Sequence, residues 1–187
     1  RRTAKQRLNC HFSLILAKNM KTSQRRLDGR IALITGASRG IGQAIATALA
    51  AQGFNVMLSG RSTDLLSSVA HQIATTVGPE KQSGRIESYS ADVREPGQME
   101  DLMARTVDTF GRLDILINNA GIWGASVADD DLDKSLNDYK KIVGTNLKGE
   151  YLFGRAVIPI MIAQGSGGEI INIATDHMVT CGTPYIC

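Results

Sequence analysis

The sequence predicts an α/β fold built on a doubly wound parallel sheet. From residue 30 onward, short apolar runs typical of strands alternate with longer runs of helical periodicity. A glycine-rich segment at 35–42 separates the first strand from the first helix. The run at 114–118 is largely apolar, as expected of a strand covered on both faces. Five such alternations favour parallel strands with right-handed crossovers.

Each element has its own signal in the sequence. Five segments have the length and composition of strands, at residues 31–35, 55–59, 86–90, 114–118 and 169–173. Four segments have helical periodicity, at residues 41–49, 63–77, 96–110 and 136–162. Ser62 is a good N-cap, Pro96 is tolerated in a first helical turn, and Gly53 and Gly78 follow helices, where glycine is favoured.

Two helices carry an apolar face that should pack on the sheet. In the second helix this face comprises Leu65, Leu66, Val69, Ala70, Ile73, Ala74 and Val77, and in the third it comprises Met99, Leu102, Met103, Val107 and Phe110. The long helix at 136–162 contains Gly144 and Gly149, so a kink or close packing is expected there. The acidic run at 129–133 is expected to be its solvated start, where carboxylates compensate the helix dipole.

Composition excludes several classes of protein. A chain of 187 residues with 43% hydrophobic and 21% charged residues fits one globular domain. No run approaches the roughly 18 to 20 apolar residues of a membrane span. Three cysteines without CxxC spacing indicate neither a disulfide framework nor a zinc site, and fit a reducing compartment. We therefore expect no membrane, metal or nucleic acid as a partner.

Charge divides the chain into a basic arm, residues 1–27, and a domain over residues 28–187. The arm contains 8 of the 21 Lys and Arg residues and none of the 18 acidic residues, so the domain is mildly acidic. An Arg-rich, acid-free arm resembles a mitochondrial presequence. The alternative, which we favour, is that the natural start lies near Met20, and the cytoplasm is then the expected compartment.

Residues 35–42 read Thr-Gly-Ala-Ser-Arg-Gly-Ile-Gly, between a strand and a helix. A glycine-rich turn lets the backbone approach a pyrophosphate, while the helix N-terminus directs free N–H groups and the positive end of its dipole towards it. A nucleotide cofactor is therefore predicted.

Four motifs together indicate a family. They are Thr35-Gly36-x-x-x-Gly40-x-Gly42, Asp92-Val93, Asn118-Asn119-Ala120-Gly121 and Asn146 in the long helix. With these motifs, over residues 27–176, the chain resembles the short-chain dehydrogenase/reductase family. The resemblance implies a Rossmann fold and hydride transfer between a nicotinamide cofactor and a small-molecule carbonyl or secondary alcohol. It implies cofactor binding by Gly36, Ser38, Arg39, Gly40, Ile41, Gly42, Arg61, Asp92, Val93, Asn118, Ala120 and Gly121.

The resemblance also implies roles for two of these motifs and a mode of assembly. Asp92 would accept from the adenine amino group and Val93 would cover the ring; alternatively or additionally, Asp92 caps the helix that begins near Pro96. Members of the family pair through the long helix as homodimers or homotetramers. Its apolar residues Leu147, Tyr151, Leu152, Phe153 and Val157 fit this, and fit packing within one chain equally well.

Charge indicates which dinucleotide is bound. The acidic residue that binds the ribose 2′-OH of NAD is expected about 20 residues after the glycine motif, at the end of the second strand. Gly60 and Arg61 occupy that place. A guanidinium offers paired donors to a 2′-phosphate, so Arg61 favours NADP(H) over NAD(H). The resemblance implies that Arg39, inside the glycine loop, is the second basic residue of NADP-preferring members. The alternative for either arginine is a solvated surface charge.

The catalytic residues match the family only in part. The family uses a Tyr-x-x-x-Lys turn, a serine after the fifth strand and an asparagine in the long helix. Asn146 matches the asparagine, whose carbonyl would hold a water linked to the lysine. Thr175 aligns with the serine and keeps the hydroxyl, although a threonine also suits a strand end, and Asp176 is a secondary candidate.

No Tyr-x-x-x-Lys motif occurs in the 187 residues, and Tyr185 is followed by no lysine. We therefore expect the chain to be a C-terminally truncated piece of a longer reductase, with an incomplete sheet and no activity alone. The alternative is a catalytically inactive nucleotide-binding or interaction module. The identity of the substrate does not follow from the sequence.

Overall fold

A computed structural model describes residues 29–78, 84–124, 127 and 129–174. Its five strands are β1 Ile31–Thr35, β2 Asn55–Gly60, β3 Ile86–Ser90, β4 Ile115–Asn118 and β5 Glu169–Asn172. They form one parallel sheet in the order β3-β2-β1-β4-β5. The order reverses direction between β1 and β4, so a crevice opens at the carboxyl ends of these two strands. The predicted doubly wound parallel sheet is confirmed.

Five α-helices and one π-helical segment connect the strands. The α-helices are α1 Gly40–Ala50, α2 Thr63–Val77, α3 Pro96–Phe110, α4 Leu132–Val143 and α5 Glu150–Ala163. The π-helix Gly144–Gly149 joins α4 to α5, at the place where two glycines predicted a kink. The long helix begins at Leu132 rather than 136, because Asp131 is its N-cap and accepts from the Lys134 N–H at 2.8 Å.

The sheet has a buried apolar layer on each face. Strand β1 is buried throughout, and its alternating side chains serve both layers. Ala32 and Ile34 join the layer that includes Ala46 of α1 and Leu66 and Ile73 of α2. The layer on the other face contains Ile31, Leu33, Leu102, Phe153 and Val157, from β1, α3 and α5. Helices therefore cover both faces of the central strands, which explains their continuous apolar sequence.

Two predicted helix faces differ from those observed. In α2 the buried positions are Leu66, Val69, Ile73 and Val77, whereas Leu65 is 52% exposed. In α3 the buried face includes Thr106, whose hydroxyl donates to the Leu102 carbonyl at 2.7 Å. Val107 and Phe110 are only partly buried. A polar residue can occupy a helix core position when its own backbone accepts its hydrogen bond, which apolar periodicity alone does not reveal.

None of the described helices has the length and apolar character that crossing a bilayer requires. In the same part of the chain, no cluster of His, Cys, Asp and Glu is arranged to hold a metal ion.

Asp114 links three strands at their amino ends, on the side of the sheet opposite the crevice. Its carboxylate is buried and accepts from the Ile31 N–H at 2.9 Å and from the Arg112 guanidinium. Its backbone N–H donates to the Ile31 carbonyl at 3.0 Å, and its carbonyl accepts from the Glu169 N–H at 2.8 Å. The side chain thus satisfies a buried N–H group of β1 that has no strand partner there.

Asp114→Ala is expected to lower the free energy of unfolding by about 1 to 3 kcal/mol, the cost of a buried donor left unpaired. Urea denaturation measures the change. Asp108→Ala is the control, because Asp108 is exposed on α3, and it should change the value by less than about 0.5 kcal/mol. Equal stability of the two variants would contradict the role assigned to Asp114.

Candidate functional site

A cavity of about 310 Å³ opens at the carboxyl edge of the sheet. Its wall comes from the ends of four strands and from the π-helix. The lining residues are Gly36, Ser38, Arg39, Gly40, Ile41, Gly60, Arg61, Ala91, Asp92, Val93, Arg94, Asn119, Ala120, Gly121, Ile122 and Thr145. Open parallel sheets bind their ligands at this edge, beside the strand where the order reverses.

The glycines after β1 allow the loop to lie close to its neighbours. A Cβ atom at Gly36, where φ is +64°, would lie 2.8 Å from the Ala120 Cα atom. A Cβ atom at Gly42 would lie 2.5 Å from the Gly36 carbonyl oxygen. At Gly40, with φ of +58°, a Cβ atom would have nothing within 4 Å, so this glycine borders open space. Gly42 itself lies behind the loop and outside the cavity wall.

The N-terminus of α1 points its backbone at the cavity. Arg39 is the N-cap residue, but its side chain makes no capping hydrogen bond, and the first turn contains no acidic residue. Gly40 and Ile41, the first residues of the helix, both line the cavity. Uncapped N–H groups at the positive end of a helix dipole favour an anion such as a phosphate.

Thr35 and Asn119 fasten the turn after β1 to the turn after β4. The Thr35 hydroxyl accepts from the Asn119 and Ala120 N–H groups, each at 3.0 Å. The Asn119 amide donates to the carbonyls of Thr35 at 3.0 Å and Gly36 at 3.2 Å. Asn118, which the resemblance assigned to the cofactor, is buried instead, and its amide donates to the Asn172 side chain at 2.9 Å. In this motif, therefore, Asn119 lines the cavity and Asn118 does not.

Asn146 lies in the π-helix and holds the turn after β4. Its Oδ1 accepts from the Ile122 N–H at 2.9 Å, and its Nδ2 donates to the Ile122 carbonyl at 2.8 Å. The Asn146 side-chain amide thus forms both backbone hydrogen bonds of Ile122, as a residue of a neighbouring strand would. Single π-helical turns recur at functional sites, and here the turn places Thr145 in the cavity wall.

Asp92 forms an ion pair with Arg94 in the cavity wall. The hydrogen bonds from the Arg94 side chain lower the pKa of Asp92 below its ordinary 3.8, and burial opposes the shift. The same hydrogen bonds raise the pKa of Arg94. The prediction that Asp92 caps the following helix is wrong, because Glu95 is at the N-cap and makes no side-chain capping bond.

The lowered pKa of Asp92 predicts a pH-dependent contribution to stability. A carboxyl whose pKa is depressed by folding stabilises the fold above its unfolded pKa, and this contribution is lost as pH falls through the folded pKa. Asp92→Asn should therefore lower the free energy of unfolding by about 1 kcal/mol at pH 7. The difference from the unsubstituted protein should be constant above about pH 5 and shrink below about pH 4. A difference independent of pH in urea titrations would contradict this.

Two arginines, one in the glycine loop and one after β2, line the cavity. Arg39 and Arg61 are both exposed, and neither guanidinium forms an ion pair with a described residue. The Arg61 backbone is held by the Ser90 hydroxyl, which donates to its carbonyl at 3.0 Å. Both charges are therefore available to an anionic group in the cavity.

A family model described as short chain dehydrogenase matches residues 30–184, more than four fifths of the chain. The chain belongs to the short-chain dehydrogenase family.

Several relatives of this chain support the family assignment. An uncharacterized oxidoreductase of Staphylococcus haemolyticus is 37% identical over 149 residues, which cover 80% of this chain and 59% of that protein. A 3-oxoacyl-[acyl-carrier-protein] reductase of Synechocystis is 36% identical over 80% of this chain and 57% of its own. A metagenomic short-chain oxidoreductase solved in complex with NADP has a TM-score of 0.69 at 34% identity, covering 80% of this chain and 64% of that one. The chain thus spans about 60% of the length of these relatives.

Three residues considered for the site, Thr175, Asp176 and Tyr185, lie outside the described residues, as does the basic arm. The cavity also contains residues that the sequence did not assign to the cofactor: Gly60, Ala91, Arg94, Asn119, Ile122 and Thr145. Ala91 and Arg94 flank Asp92-Val93, and Ile122 follows Gly121, so adjacency to a motif was an available signal. Thr145 directly precedes Asn146 and had the same signal.

Proposed function

We propose that this chain binds NADP(H), and that it forms part of an oxidoreductase that interconverts a carbonyl and a secondary alcohol. The observation that carries the proposal is the cavity at the carboxyl edge of the sheet, which combines a glycine loop, an uncapped helix N-terminus and two available arginines. The NADP complex of a structural relative supports the same cofactor class. When bound, NADP(H) supplies or accepts the hydride.

The residues present fit such a group. The glycine loop and the start of α1 would hold the pyrophosphate, because Gly36 and Gly42 permit a backbone packing that any Cβ atom would prevent. Arg39 and Arg61 would bind the 2′-phosphate through paired N–H donors. Asp92 and Val93 would border the adenine, and Ala120 and Gly121 would lie towards the nicotinamide, on the β4 side.

The proposed chemistry requires a hydroxyl to polarise the carbonyl oxygen and a group that exchanges its proton. We assign the first role to Thr175. Asn146 would act through its backbone carbonyl, which would hold a water, while its side chain fixes Ile122. The tyrosine and lysine of the family pattern would exchange the proton. The names of the relatives, an oxidoreductase and a 3-oxoacyl reductase, support this class of reaction.

We also propose that the whole protein assembles as a homodimer or homotetramer through the long helix. Phe153 and Val157 of α5 are buried in the core, but Leu147 and Tyr151 are each 65% exposed. These exposed apolar side chains support an interface on the same helix. The cytoplasm is the proposed compartment, with mitochondria as the alternative that the basic arm suggests.

The proposal is tested by binding and by turnover. We expect NADPH to bind at least about tenfold more tightly than NADH, since charged hydrogen bonds to the 2′-phosphate contribute about 1.5 to 3 kcal/mol. Isothermal titration of the 187-residue chain measures both affinities. Carbonyl reduction is assayed in the longest polypeptide that the gene encodes, by loss of NADPH absorbance. Absence of binding by either nucleotide would overturn the cofactor assignment, and binding without any reduction across a panel of ketones and aldehydes would overturn the reaction.

A further inference from the structure

The Asp92–Arg94 pair is joined by several hydrogen bonds. Three N–H groups of Arg94 reach the Asp92 carboxylate: the backbone N–H to Oδ1 at 3.0 Å, Nε to Oδ1 at 3.0 Å and Oδ2 at 3.1 Å, and Nη2 to Oδ2 at 2.5 Å. The Asp92 side chain is 17% exposed and the Arg94 side chain 36% exposed. A carboxylate has about four acceptor positions. Nε–H is a single donor shared between Oδ1 and Oδ2, so the three N–H groups supply one hydrogen bond fewer than the carboxylate can accept.

Arg94 is itself held in place by the π-helix. Its carbonyl accepts from Lys148 Nζ at 3.4 Å. Its Cγ and Cδ atoms lie beside Gly144, where a Cβ atom would be 3.8 and 3.7 Å away. At the other end of the segment, the Asp92 N–H donates to the Gln98 side chain at 2.8 Å. The orientation of the carboxylate is therefore set by contacts on both sides of Val93.

The position of the pair distinguishes it from the other ion pairs of the described residues. Arg112 and Asp114 have the same separation along the chain, but there the carboxylate also accepts from the Ile31 N–H, and neither residue lines the cavity. Among the described ion pairs, the Asp92–Arg94 pair alone has both members in the cavity wall. A fixed carboxylate with one acceptor position left, beside a ligand cavity, suits a ligand that donates a hydrogen bond.

We propose that Arg94 is a positioning residue. It holds the Asp92 carboxylate so that the remaining acceptor position of the carboxylate accepts a hydrogen bond from the exocyclic amino group of the adenine. This inference rests on the proposed function, because it takes the cofactor to be an adenine dinucleotide. The expected consequence is selectivity for the base. Hypoxanthine carries a carbonyl where adenine carries the amino group, and a carboxylate facing a carbonyl gains no hydrogen bond.

The experiment compares the affinities of NADPH and of its hypoxanthine counterpart, by titration calorimetry, for the 187-residue chain and its variants. The unsubstituted chain should prefer NADPH by about tenfold or more, the range expected of one hydrogen bond to a charged group. Arg94→Ala should bring this ratio below about threefold. Arg94→Lys keeps the charge but cannot donate from two nitrogens to the carboxylate, so its ratio should lie between those of Arg94→Ala and the unsubstituted chain. The matched control is Arg112→Ala, which breaks the other Arg–Asp pair and should leave the ratio unchanged.

Each outcome decides a separate point. A ratio unchanged in both Arg94 variants, with lower affinity for both nucleotides, would show a merely structural role and overturn the inference. NADPH binding without preference in the unsubstituted chain would also overturn it, while leaving the proposed function intact. Failure of the unsubstituted chain to bind either nucleotide would overturn both. Circular dichroism checks that each variant is folded, and if Arg94→Ala is not, Arg94→Lys and Arg94→Gln carry the comparison.

Discussion

Gly42→Val should abolish NADPH binding. The Cβ atom alone would lie 2.5 Å from the Gly36 carbonyl oxygen and 2.6 Å from Asn119 Nδ2, so the side chain would force α1 away from the glycine loop. Displacing the helix moves the N–H groups that are proposed to bind the pyrophosphate. Gly42→Ala should be nearly as damaging, because the clash is already present at Cβ. Fluorescence titration with NADPH measures the loss.

Gly154→Val is the matched control for this prediction. Gly154 lies in α5, and a Cβ atom there would have nothing within 4 Å. This variant should bind NADPH as the unsubstituted chain does, although valine in a helix is a slightly poor choice. Thermal melting identifies variants that lose the fold, since overpacking costs about 1 to 3 kcal/mol. If a folded Gly42→Val variant bound NADPH with unchanged affinity, the glycine loop and the start of α1 would not be the pyrophosphate site.

Arg61→Asp should reverse the cofactor preference. A carboxylate at the end of β2 repels a 2′-phosphate and can accept from a ribose 2′-OH, so NADPH should bind about 10- to 150-fold more weakly while NADH binds equally well or better. Arg39→Asp should have the same direction of effect, because Arg39 lines the cavity as well. Parallel titrations with the two nucleotides measure the ratio.

Arg105→Asp is the control for Arg61→Asp, since it makes the same change of charge on the exposed side of α3, outside the cavity wall. It should leave the ratio of affinities unchanged. Equal weakening of NADPH and NADH by Arg61→Asp would contradict specific recognition of the 2′-phosphate. Equal effects of the Arg61 and Arg105 variants would indicate a general field effect of net charge.

The strands and the order of elements were predictable because their signals are local. Strand β1 is buried on both faces, so its apolar run is continuous, and the Ser62 N-cap marks the start of α2 as predicted. The N-cap at Asp131 was harder to choose, because three consecutive aspartates precede Leu132 and each can cap a helix. Leu65 was assigned to the core because apolar type alone does not distinguish the centre of a helix face from its margin.

Features of the site that depend on contacts between distant parts of the chain could not be predicted from the sequence. Gly144 and Gly149 indicated a kink or close packing, but not a π-helix. The π-helix packs closely on the segment after β3, where a Cβ atom at Gly149 would lie 3.1 Å from Val93 Cγ2. Asn118 and Asn119 are neighbours of one type, and only the pairing of β4 with β5 decides that Asn118 meets Asn172. Asp92 and Arg94 are only two residues apart, but the sequence does not show that both line the cavity.

The most direct test of the cofactor site uses Trp123, the chain's single tryptophan. Trp123 follows Ile122 of the cavity wall, and the residue is 67% exposed. The emission of indole overlaps the absorption of reduced nicotinamide, so NADPH in the cavity should quench Trp123 and emit by energy transfer. We predict a saturable transfer signal that appears at lower concentrations of NADPH than of NADH and disappears in Gly42→Val and in Trp123→Phe. No saturable transfer, or a signal unchanged in Gly42→Val, would contradict a nucleotide site at this edge of the sheet.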